Sequence, residues 1–315
     1  MPRLSIVIPV LGDPRQLDDT LVSVLENRPD HCEILVVHNG PYDDPYHLGD
    51  EVVLVEAPRG AGLAECLNQG LSASRAAVVH VLSCGVEVRP GWTDAALRRF
   101  RDPDVAAVAA VVLAGDDRSV FSAGMAYRTE GTPWKLAHGR SPADSAADQQ
   151  HLCGPDLLAA FYRRSVLEVL DGFSLSAGDA TTAIDAALAL RYAGFRCLLE
   201  PECQVRVNAA AASERLNFAR GRDTEQLFWR WASCHGWTRS LIGHVALVAG
   251  QCAICLWRPS MIVELAGRMW GALRALLGRS GSNRPELAAL QPSVIAASQL
   301  AAARLQNERR PARAA

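Results

Sequence analysis

The sequence Leu4-Ser-Ile-Val-Ile-Pro-Val10 is an almost uninterrupted apolar run near the start of this chain of 315 residues. Three more short apolar runs follow at residues 33–38, 52–56 and 78–82, and segments with helical spacing of apolar residues lie at 16–27 and 62–74. Strands that are buried on both faces have such continuous apolar sequences. The repetition of strand and helix predicts βαβ units, and therefore an α/β fold with a doubly wound, mostly parallel sheet flanked by helices.

The turns that follow the predicted strands indicate where a ligand would bind. In a doubly wound sheet the ligand lies beyond the carboxyl ends of the strands. In this chain those ends are Pro9-Val10, His38-Asn39-Gly40, Pro58-Arg59-Gly60 and Ser83-Cys84-Gly85. We therefore expect the functional residues to lie in these four turns.

The composition limits the class of protein. A hydrophobic content of 49% is enough for a buried core, and a formal net charge of -2 argues against a nucleic-acid partner bound through a basic surface. The nine cysteines are odd in number and fall mostly in apolar runs, which indicates reduced thiols in a cytoplasmic protein. Because a strand begins at Leu4, no signal peptide is expected before the fold.

The second part of the chain has weaker patterns. Strands are predicted at residues 105–113, 120–127, 197–199 and 204–207. Helices are predicted at 156–170, where Tyr162-Arg163-Arg164 would form a solvated basic face, and at 181–193, which Gly194 would end. The polar segment 131–150 between these groups is predicted to be a mobile loop.

From residue 214 onward the pattern is helical. The apolar segment 241–257 is shorter than the roughly 20 residues of a spanning helix, and it carries His244 and Gln251 on one face. The segment 261–277 is amphipathic and basic. Two interpretations stay open for 241–279, namely a helical domain packed on the sheet and an anchor lying in the plane of a membrane surface at its inner face, with a transmembrane span as a third. The residues 307–315 are predicted to be a disordered tail.

Several short motifs follow one another in a defined order between residues 3 and 207. They are Leu4-Ser-Ile-Val-Ile-Pro-Val10, Glu33-Ile-Leu-Val-Val-His-Asn-Gly40, Arg59-Gly60 with Ala64 and Asn68, Val86-Glu-Val-Arg-Pro-Gly-Trp92, Cys153-Gly154, Phe161-Tyr-Arg-Arg164, Leu170-Asp-Gly-Phe173, and Asp185 to Arg191 with Ala193-Gly194-Phe195. In this order they resemble the family 2 glycosyltransferases, which have the GT-A fold. The resemblance covers about two thirds of the chain.

The resemblance implies a domain organisation and a set of binding residues. Residues 1–207 would form a nucleotide-sugar domain, with a nucleotide half at 1–115 and an acceptor half at 116–207, followed by a helical region at 208–306. The implied partners are a nucleotide-sugar donor and a glycan or lipid acceptor. The residues implied to bind the nucleotide are Pro9, Val10, His38, Asn39, Arg59, Asn68, Ser83, Cys84 and Gly85.

The chain departs from the family where the family has acids. In the family an Asp-x-Asp turn holds the Mg²⁺ or Mn²⁺ that binds the donor diphosphate, whereas this chain has Ser83-Cys84-Gly85, which offers no hard anionic oxygen. Thr182-Ala183 stands where the family has a Glu-Asp pair, and His38 replaces a further acid. No metal is therefore predicted for this chain.

Two aspartates could replace the missing base. Asp179 lies one helical turn before Thr182, and its alternative role is to cap the helix that follows. Asp185 matches a family acid, with a structural role as its alternative. Two hypotheses for function follow, an active glycosyltransferase that works without the usual metal, with Arg59 meeting the diphosphate, and a catalytically inactive protein that binds or organises partners.

Overall fold

The structure is a computed structural model that describes residues 2–11, 15–40, 42, 48–208, 217–255 and 257–277. The strands are β1 Leu4–Val10, β2 Cys32–His38, β3 Val53–Glu56, β4 Val78–Leu82, β5 Val86–Glu87, β6 Val105–Leu113, β7 Val120–Ser122, β8 Met125–Arg128, β9 Thr132–Lys135, β10 Ala159–Arg163 and β11 Arg196–Val207. The α-helices are α1 Arg15–Glu26, α2 Leu63–Ala73, α3 Asp94–Arg99, α4 Arg164–Val169, α5 Thr182–Tyr192, α6 Phe218–Trp231, α7 Trp237–Cys255 and α8 Ile262–Leu276.

The central sheet has the strand order β3-β2-β1-β4-β10-β6-β11-β5, and β7 pairs with β6. The first four strands are parallel, so their carboxyl ends meet at one edge, where Val10 pairs with His38 and His38 with Glu56. The strand β10 lies antiparallel between β4 and β6. The predicted α/β class is therefore confirmed, with the parallel part confined to one half of the sheet and to the β6–β11 pair.

The sheet is buried on both faces, as the continuous apolar runs predict. On β1, Ile6 and Ile8 pack on the α1 side while Val7 packs on the α2 side. The helix α2 lies very close to the strands, because a Cβ at Gly70 would stand 2.4 Å from a methyl group of Val7. Burial of branched side chains on both faces stabilises the parallel arrangement.

The predicted helix at 156–170 is wrong. Residues Ala159–Arg163 form β10, and the helix α4 begins only at Arg164. The predicted solvated face is also wrong, because Tyr162 and Arg163 are both fully buried. The Arg163 guanidinium donates to the carbonyl oxygens of Phe100, Asp102 and Val105 at 2.7–3.1 Å. A five-residue apolar run fits a buried strand and a buried helix equally well, so periodicity could not decide between them.

The predicted loop at 131–150 contains the strand β9, which pairs with β8 to form a separate two-stranded sheet. The two predicted strands at 197–199 and 204–207 are one strand, β11, whose register shifts between Glu200 and Gln204. The predicted helix at 181–193 is confirmed as α5.

The helical pattern after residue 214 is confirmed for the described residues, which form α6, α7 and α8. The helices α6 and α8 approach at backbone distance, because a Cβ at Gly221 would stand 1.9 Å from the carbonyl oxygen of Glu264, and one at Gly267 2.1 Å from that of Phe218. The side chain of Trp231 on α6 packs against α5. Residues 278–306 and the predicted tail at 307–315 lie outside the described residues, and the domain boundaries stay predictions.

The helix α7 is the one described helix that is long and apolar enough to cross a membrane by length and composition. Its 19 residues have a mean hydropathy of 1.2 and are mostly exposed. Length and composition alone are weak grounds for a membrane span.

Candidate active site

A cavity of about 850 Å³ lies beside the turn that follows β4. Its walls come from distant parts of the chain: the start of α2, the β8–β9 hairpin, the segment before β10, the segment before α5, and the start of α6. The lining residues include Leu63, Ser83, Phe121, Trp134, Lys135, His138, Asp156, Asp179, Ala183, Asn217 and Arg220. Cavities of this size hold small-molecule ligands.

The turn Ser83-Cys84-Gly85 is held firmly by its own hydrogen bonds. The Ser83 hydroxyl donates to the carbonyl oxygen of Leu157 at 3.0 Å, and the Cys84 thiol contacts the carbonyl oxygen of Pro9 at 3.4 Å. The amide of Gly85, which has a positive φ of 82°, donates to the Thr20 hydroxyl at 2.9 Å. Glycine suits this left-handed position because a side chain there would be strained.

The residues of this turn do not fit a divalent metal ion. Ser83 has used its proton on Leu157, Gly85 has no side chain, and burial raises the pKa of the Cys84 thiol to about 12. The nearby carboxylate of Glu87 is paired with the Arg206 guanidinium. Mg²⁺ and Mn²⁺ need hard anionic oxygens, and within the described residues no group of three His, Cys, Asp or Glu side chains could hold a metal ion. The prediction that no metal binds stays a prediction.

Asp179 lines the cavity and faces the start of α2. Its Oδ1 accepts a hydrogen bond from the Leu63 amide at 2.8 Å, so it satisfies an N-terminal amide of α2 rather than of α5. The predicted capping of α5 is therefore wrong, and the residue at that position, Thr181, makes no side-chain cap. Gly178 allows this arrangement, because a Cβ there would stand 1.9 Å from the Asp223 carboxylate of α6.

A second carboxylate, Asp156, lies in the same cavity and was missed from the sequence. Its Oδ1 accepts from the Leu158 amide at 3.1 Å, and its Oδ2 lies 3.5 Å from the Lys135 Nζ. That Oδ2 is buried and has no hydrogen-bond partner among the described residues. The Lys135 ammonium also lies 3.8 Å from the centroid of the Phe121 ring. Both residues fell in segments predicted as a loop and a helix, where no local pattern marks them.

The start of α6 contributes Arg220 and Asn217 to the same cavity. Asn217 caps α6, because its side chain accepts from the Arg220 amide at 2.7 Å. The exposed His138 lies across the cavity on the segment after β9. A cap at 217 is visible in the sequence as an asparagine before a helical pattern, but its place at a cavity is not.

The predicted nucleotide-binding turns come together at the carboxyl edge of the parallel strands. The Asn39 side chain donates to the carbonyl oxygen of Ala61 at 2.8 Å, and the Gly60 amide donates to Asn39 at 3.2 Å, which fastens the turn that carries the exposed Arg59. The His38 Nδ1 contacts the carbonyl oxygen of Gly40 at 2.7 Å. This edge also holds Pro9 and Val10, which end β1 beside β2.

Two predicted site residues lie elsewhere. The Asn68 amide is bound to the backbone of Phe173, from which its Oδ1 accepts at 2.7 Å and to which its Nδ2 donates at 2.8 Å. Asp185 is buried and accepts from the Trp231 indole at 2.8 Å, with the Arg230 Nε at 3.3 Å. Burial raises the pKa of Asp185. In the part of the chain that the structure describes, neither lines the cavity, and both hold loops and helices together.

The positions where the family has its acid pair also face this region. The Thr182 hydroxyl donates to the carbonyl oxygen of Gly178 at 3.1 Å, and Ala183 lines the cavity. Neither side chain can take a proton from an acceptor. The cavity therefore lies where the resemblance predicts the reaction, but its acids are Asp156 and Asp179.

Similarity to solved structures supports the same fold. The mannosyltransferase PcManGT from Pyrobaculum calidifontis, solved with GDP-Man and Mn²⁺, is 19% identical with a TM-score of 0.53, over 98% of this chain and 88% of that one. GalNAc-T7, solved with UDP, GalNAc and Mn²⁺, is 13% identical with a TM-score of 0.56, over 73% of this chain and 47% of that one. At these identities the likeness concerns the fold, which is GT-A.

Sequence similarity identifies the family. Polypeptide N-acetylgalactosaminyltransferase 12 of Mus musculus is 31% identical over 123 residues, 36% of this chain, and the match spans 21% of that protein. The model of glycosyl transferase family 2 matches residues 5–170, which is more than half of the chain. This protein therefore belongs to glycosyl transferase family 2.

Proposed function

We propose that this protein transfers a sugar from a nucleotide diphosphate donor to a hydroxyl group of a glycan or lipid, in glycan or cell-envelope biosynthesis. Family membership supports the donor class. The observation that carries the proposal is the cavity beside Ser83, which gathers the carboxylates of Asp156 and Asp179 with the cationic Lys135 and Arg220. A base for the acceptor and cations for the leaving group are what this transfer requires.

Cationic side chains would stabilise the leaving diphosphate. The turn at Ser83 lacks the oxygen ligands of a metal site, so the negative charge that develops on the leaving group needs another partner. We assign this role to Lys135 and Arg220 in the cavity and to Arg59 at the edge of the sheet. A guanidinium binds phosphate oxygens through two parallel hydrogen bonds. Donor binding is therefore expected without added Mg²⁺ or Mn²⁺.

Asp179 is our candidate for the base that deprotonates the acceptor hydroxyl. Its Oδ1 is oriented by the Leu63 amide, which leaves Oδ2 for the acceptor. Asp156 faces the Lys135 ammonium, and a carboxylate that is paired with a cation holds its negative charge but is a weaker proton acceptor. We therefore assign Asp156 to positioning Lys135.

Titration calorimetry with UDP, GDP and TDP, each with and without Mn²⁺, followed by a donor-hydrolysis assay, tests this proposal. We expect one nucleotide to bind with the same affinity in the presence and absence of Mn²⁺, and its sugar donor to be turned over. Binding that requires Mn²⁺ would contradict the assignment of the cations. Failure of all three nucleotides to bind would contradict the enzyme hypothesis.

Three variants separate the roles. Asp179→Asn should lower kcat by about 100-fold or more with nucleotide affinity unchanged, as expected for loss of a general base. Lys135→Met should weaken nucleotide binding by roughly tenfold, as expected for a lost charge-assisted hydrogen bond. Asp19→Asn, which removes an exposed carboxylate on α1, serves as the matched control and should change neither quantity.

A catalytically inactive binding or scaffold protein is the second candidate. The observation that favours it is the replacement of the family acids by Ser83, Gly85, Thr182 and Ala183. Under this hypothesis a nucleotide binds but none of its sugar donors is hydrolysed or transferred. The same calorimetry and hydrolysis experiments distinguish the two candidates, because only the enzyme hypothesis predicts turnover that Asp179→Asn abolishes.

A further inference from the structure

The two last described helices have an inverted distribution of polar and apolar residues. On α7 the residues that face the protein are Ser240, His244 and Gln251, which are buried or half-buried. The opposite side of α7 is exposed and contains no charged residue. It is formed by Ile242, Val245, Ala246, Ala249, Cys252 and Ala253. A surface helix of a soluble protein shows the reverse pattern, with its apolar stripe facing the core.

The helix α8 is inverted in the same way. Its buried residues are Glu264, Gly267, Arg268 and Gly271, which lie against α6. Its exposed side consists of Ile262, Val263, Met269, Trp270, Leu273 and Leu276. We call the exposed apolar sides of α7 and α8 the outer face. A continuous apolar face on two helices indicates contact with another apolar phase rather than with water.

The inward side of α7 is held by hydrogen bonds. The His244 Nε2 lies 3.0 Å from a carboxylate oxygen of Glu225, and its Nδ1 lies 2.7 Å from the carbonyl oxygen of Glu130. The His244 ring stacks on Phe228 with centroids 3.7 Å apart. A span across a bilayer would have to break these buried polar contacts, which is costly. The contacts favour a helix that stays on the protein and lies along a surface.

The charges around the outer face are basic. From Ala232 to Val263 the sequence contains neither aspartate nor glutamate. The exposed charges that the structure describes between residues 232 and 277 are Arg239 and Arg258, with Arg274 half-buried. Basic residues beside an apolar helical face are attracted to anionic lipids, but they would repel one another if two copies of this face were apposed.

Tryptophans lie at both ends of α7 and on α8. Trp237 is 45% exposed, Trp257 is 87% exposed and Trp270 is 49% exposed. Exposure of so large an apolar ring is unfavourable in water, whereas the indole is well suited to the headgroup level of a bilayer, where one end is apolar and the other is hydrated.

We propose that the outer face of α7 and α8 inserts into the surface of an anionic lipid bilayer, with α7 lying parallel to the bilayer plane. In a cell the anionic surface available to a cytoplasmic protein is the inner face of its membrane. The contact does not depend on the catalytic proposal, because none of the lipid-facing residues lines the described cavity.

Vesicle co-sedimentation of the full chain tests this inference, with vesicles of phosphatidylcholine alone and with about one third phosphatidylglycerol. We expect binding to the anionic vesicles and weaker binding to the neutral ones. Arg239→Gln and Arg258→Gln should each weaken the anionic binding by about fivefold, and added salt should reduce that difference.

A matched pair of valines tests the apolar contact. Val245 on the outer face is 60% exposed and Val22 on α1 is 55% exposed, so a glutamate at either position leaves the core intact. Val245→Glu combined with Met269→Glu should lower vesicle affinity by at least tenfold, whereas Val22→Glu should leave it unchanged. Circular dichroism of the three proteins should be alike, which would exclude unfolding as the cause.

Four results would overturn the inference. The first is absence of binding to both vesicle types, and the second is equal loss of binding in the Val22 and Val245 variants. The third is a dimer in solution that Val245→Glu dissociates, because a second copy would then cover the outer face. The fourth is retention of the chain in membranes after an alkaline carbonate wash, because α7 would then span the bilayer.

Discussion

His80 offers a direct test of how the core beneath the Ser83 turn is built. It lies in the middle of β4, is fully buried, and stacks on Phe161 with ring centroids 3.8 Å apart, while Trp92 packs against it at 4.8 Å. Neither ring nitrogen has a hydrogen-bond partner among the described residues. Burial in this apolar site lowers the pKa of His80 to about 3, because a charged imidazole cannot be solvated there.

This pKa predicts a loss of stability in acid. The ordinary pKa is 6.5, so between pH 6.5 and about 3 the unfolded chain binds a proton that the folded chain excludes. The stability of the folded state is therefore complete above pH 6.5 and falls as the pH is lowered towards 3. Between pH 7 and pH 5 the unfolded His80 gains about 1.5 units of protonation driving force, which lowers the free energy of unfolding by about 2 kcal/mol.

The variant His80→Leu isolates this contribution, because leucine has a similar volume and no proton to bind. Urea unfolding at pH 7, 6 and 5 gives the free energy of unfolding of the wild type and of the variant. We expect the wild type to lose about 2 kcal/mol more than the variant between pH 7 and pH 5. His151→Gln, at an exposed histidine, is the control and should follow the wild type. An identical pH dependence of His80→Leu and the wild type would refute the reasoning.

Three further substitutions test the contacts that shape the site and its helices. Asn68→Ala removes two hydrogen bonds to the loop after α4 and should lower the free energy of unfolding by about 2 kcal/mol in urea titrations, and an unchanged value would contradict the role given to this amide. Gly221→Ala should cost more than about 2 kcal/mol because its Cβ would meet backbone at 1.9 Å, whereas Gly250→Ala has open space and should stabilise α7 by up to about 1 kcal/mol, so similar effects at both positions would disprove the close packing of α6 on α8. Asp185→Ala should destabilise the fold by about 3 kcal/mol through the lost bond to Trp231, yet leave turnover per folded molecule unchanged, and a fall in turnover at constant stability would place this residue in the reaction.

Local sequence pattern was sufficient for the parallel half of the fold. The apolar runs at β1, β2 and β4 are each bounded by turn residues, so strand was the favoured interpretation and it is confirmed. The helix α5 was recognisable from its ending at Gly194, which has a positive φ of 87°. The run at 159–163 was misassigned because its neighbours β4 and β6, which make it a strand, lie about 80 and 50 residues away along the chain.

The candidate site shows the same division. The missing carboxylates at Ser83 and Gly85 are visible in the sequence, because ligand chemistry depends on residue type. The partner of Asp179 is not visible, since the Leu63 amide that it accepts from is 116 residues away. Lys135 and Asp156 were not noticed at all, because nothing in their own segments predicts that a hairpin and a strand end meet at one cavity.

The helix α7 separates the two kinds of information most clearly. The seven-residue spacing of His244 and Gln251 places both on one face of a helix, which periodicity alone establishes. Whether that polar face points to water or to protein depends on Glu225 and on the carbonyl oxygen of Glu130, which only the tertiary structure brings within hydrogen-bond distance of His244. Helical periodicity groups side chains by direction, but long-range contacts choose the direction that is buried.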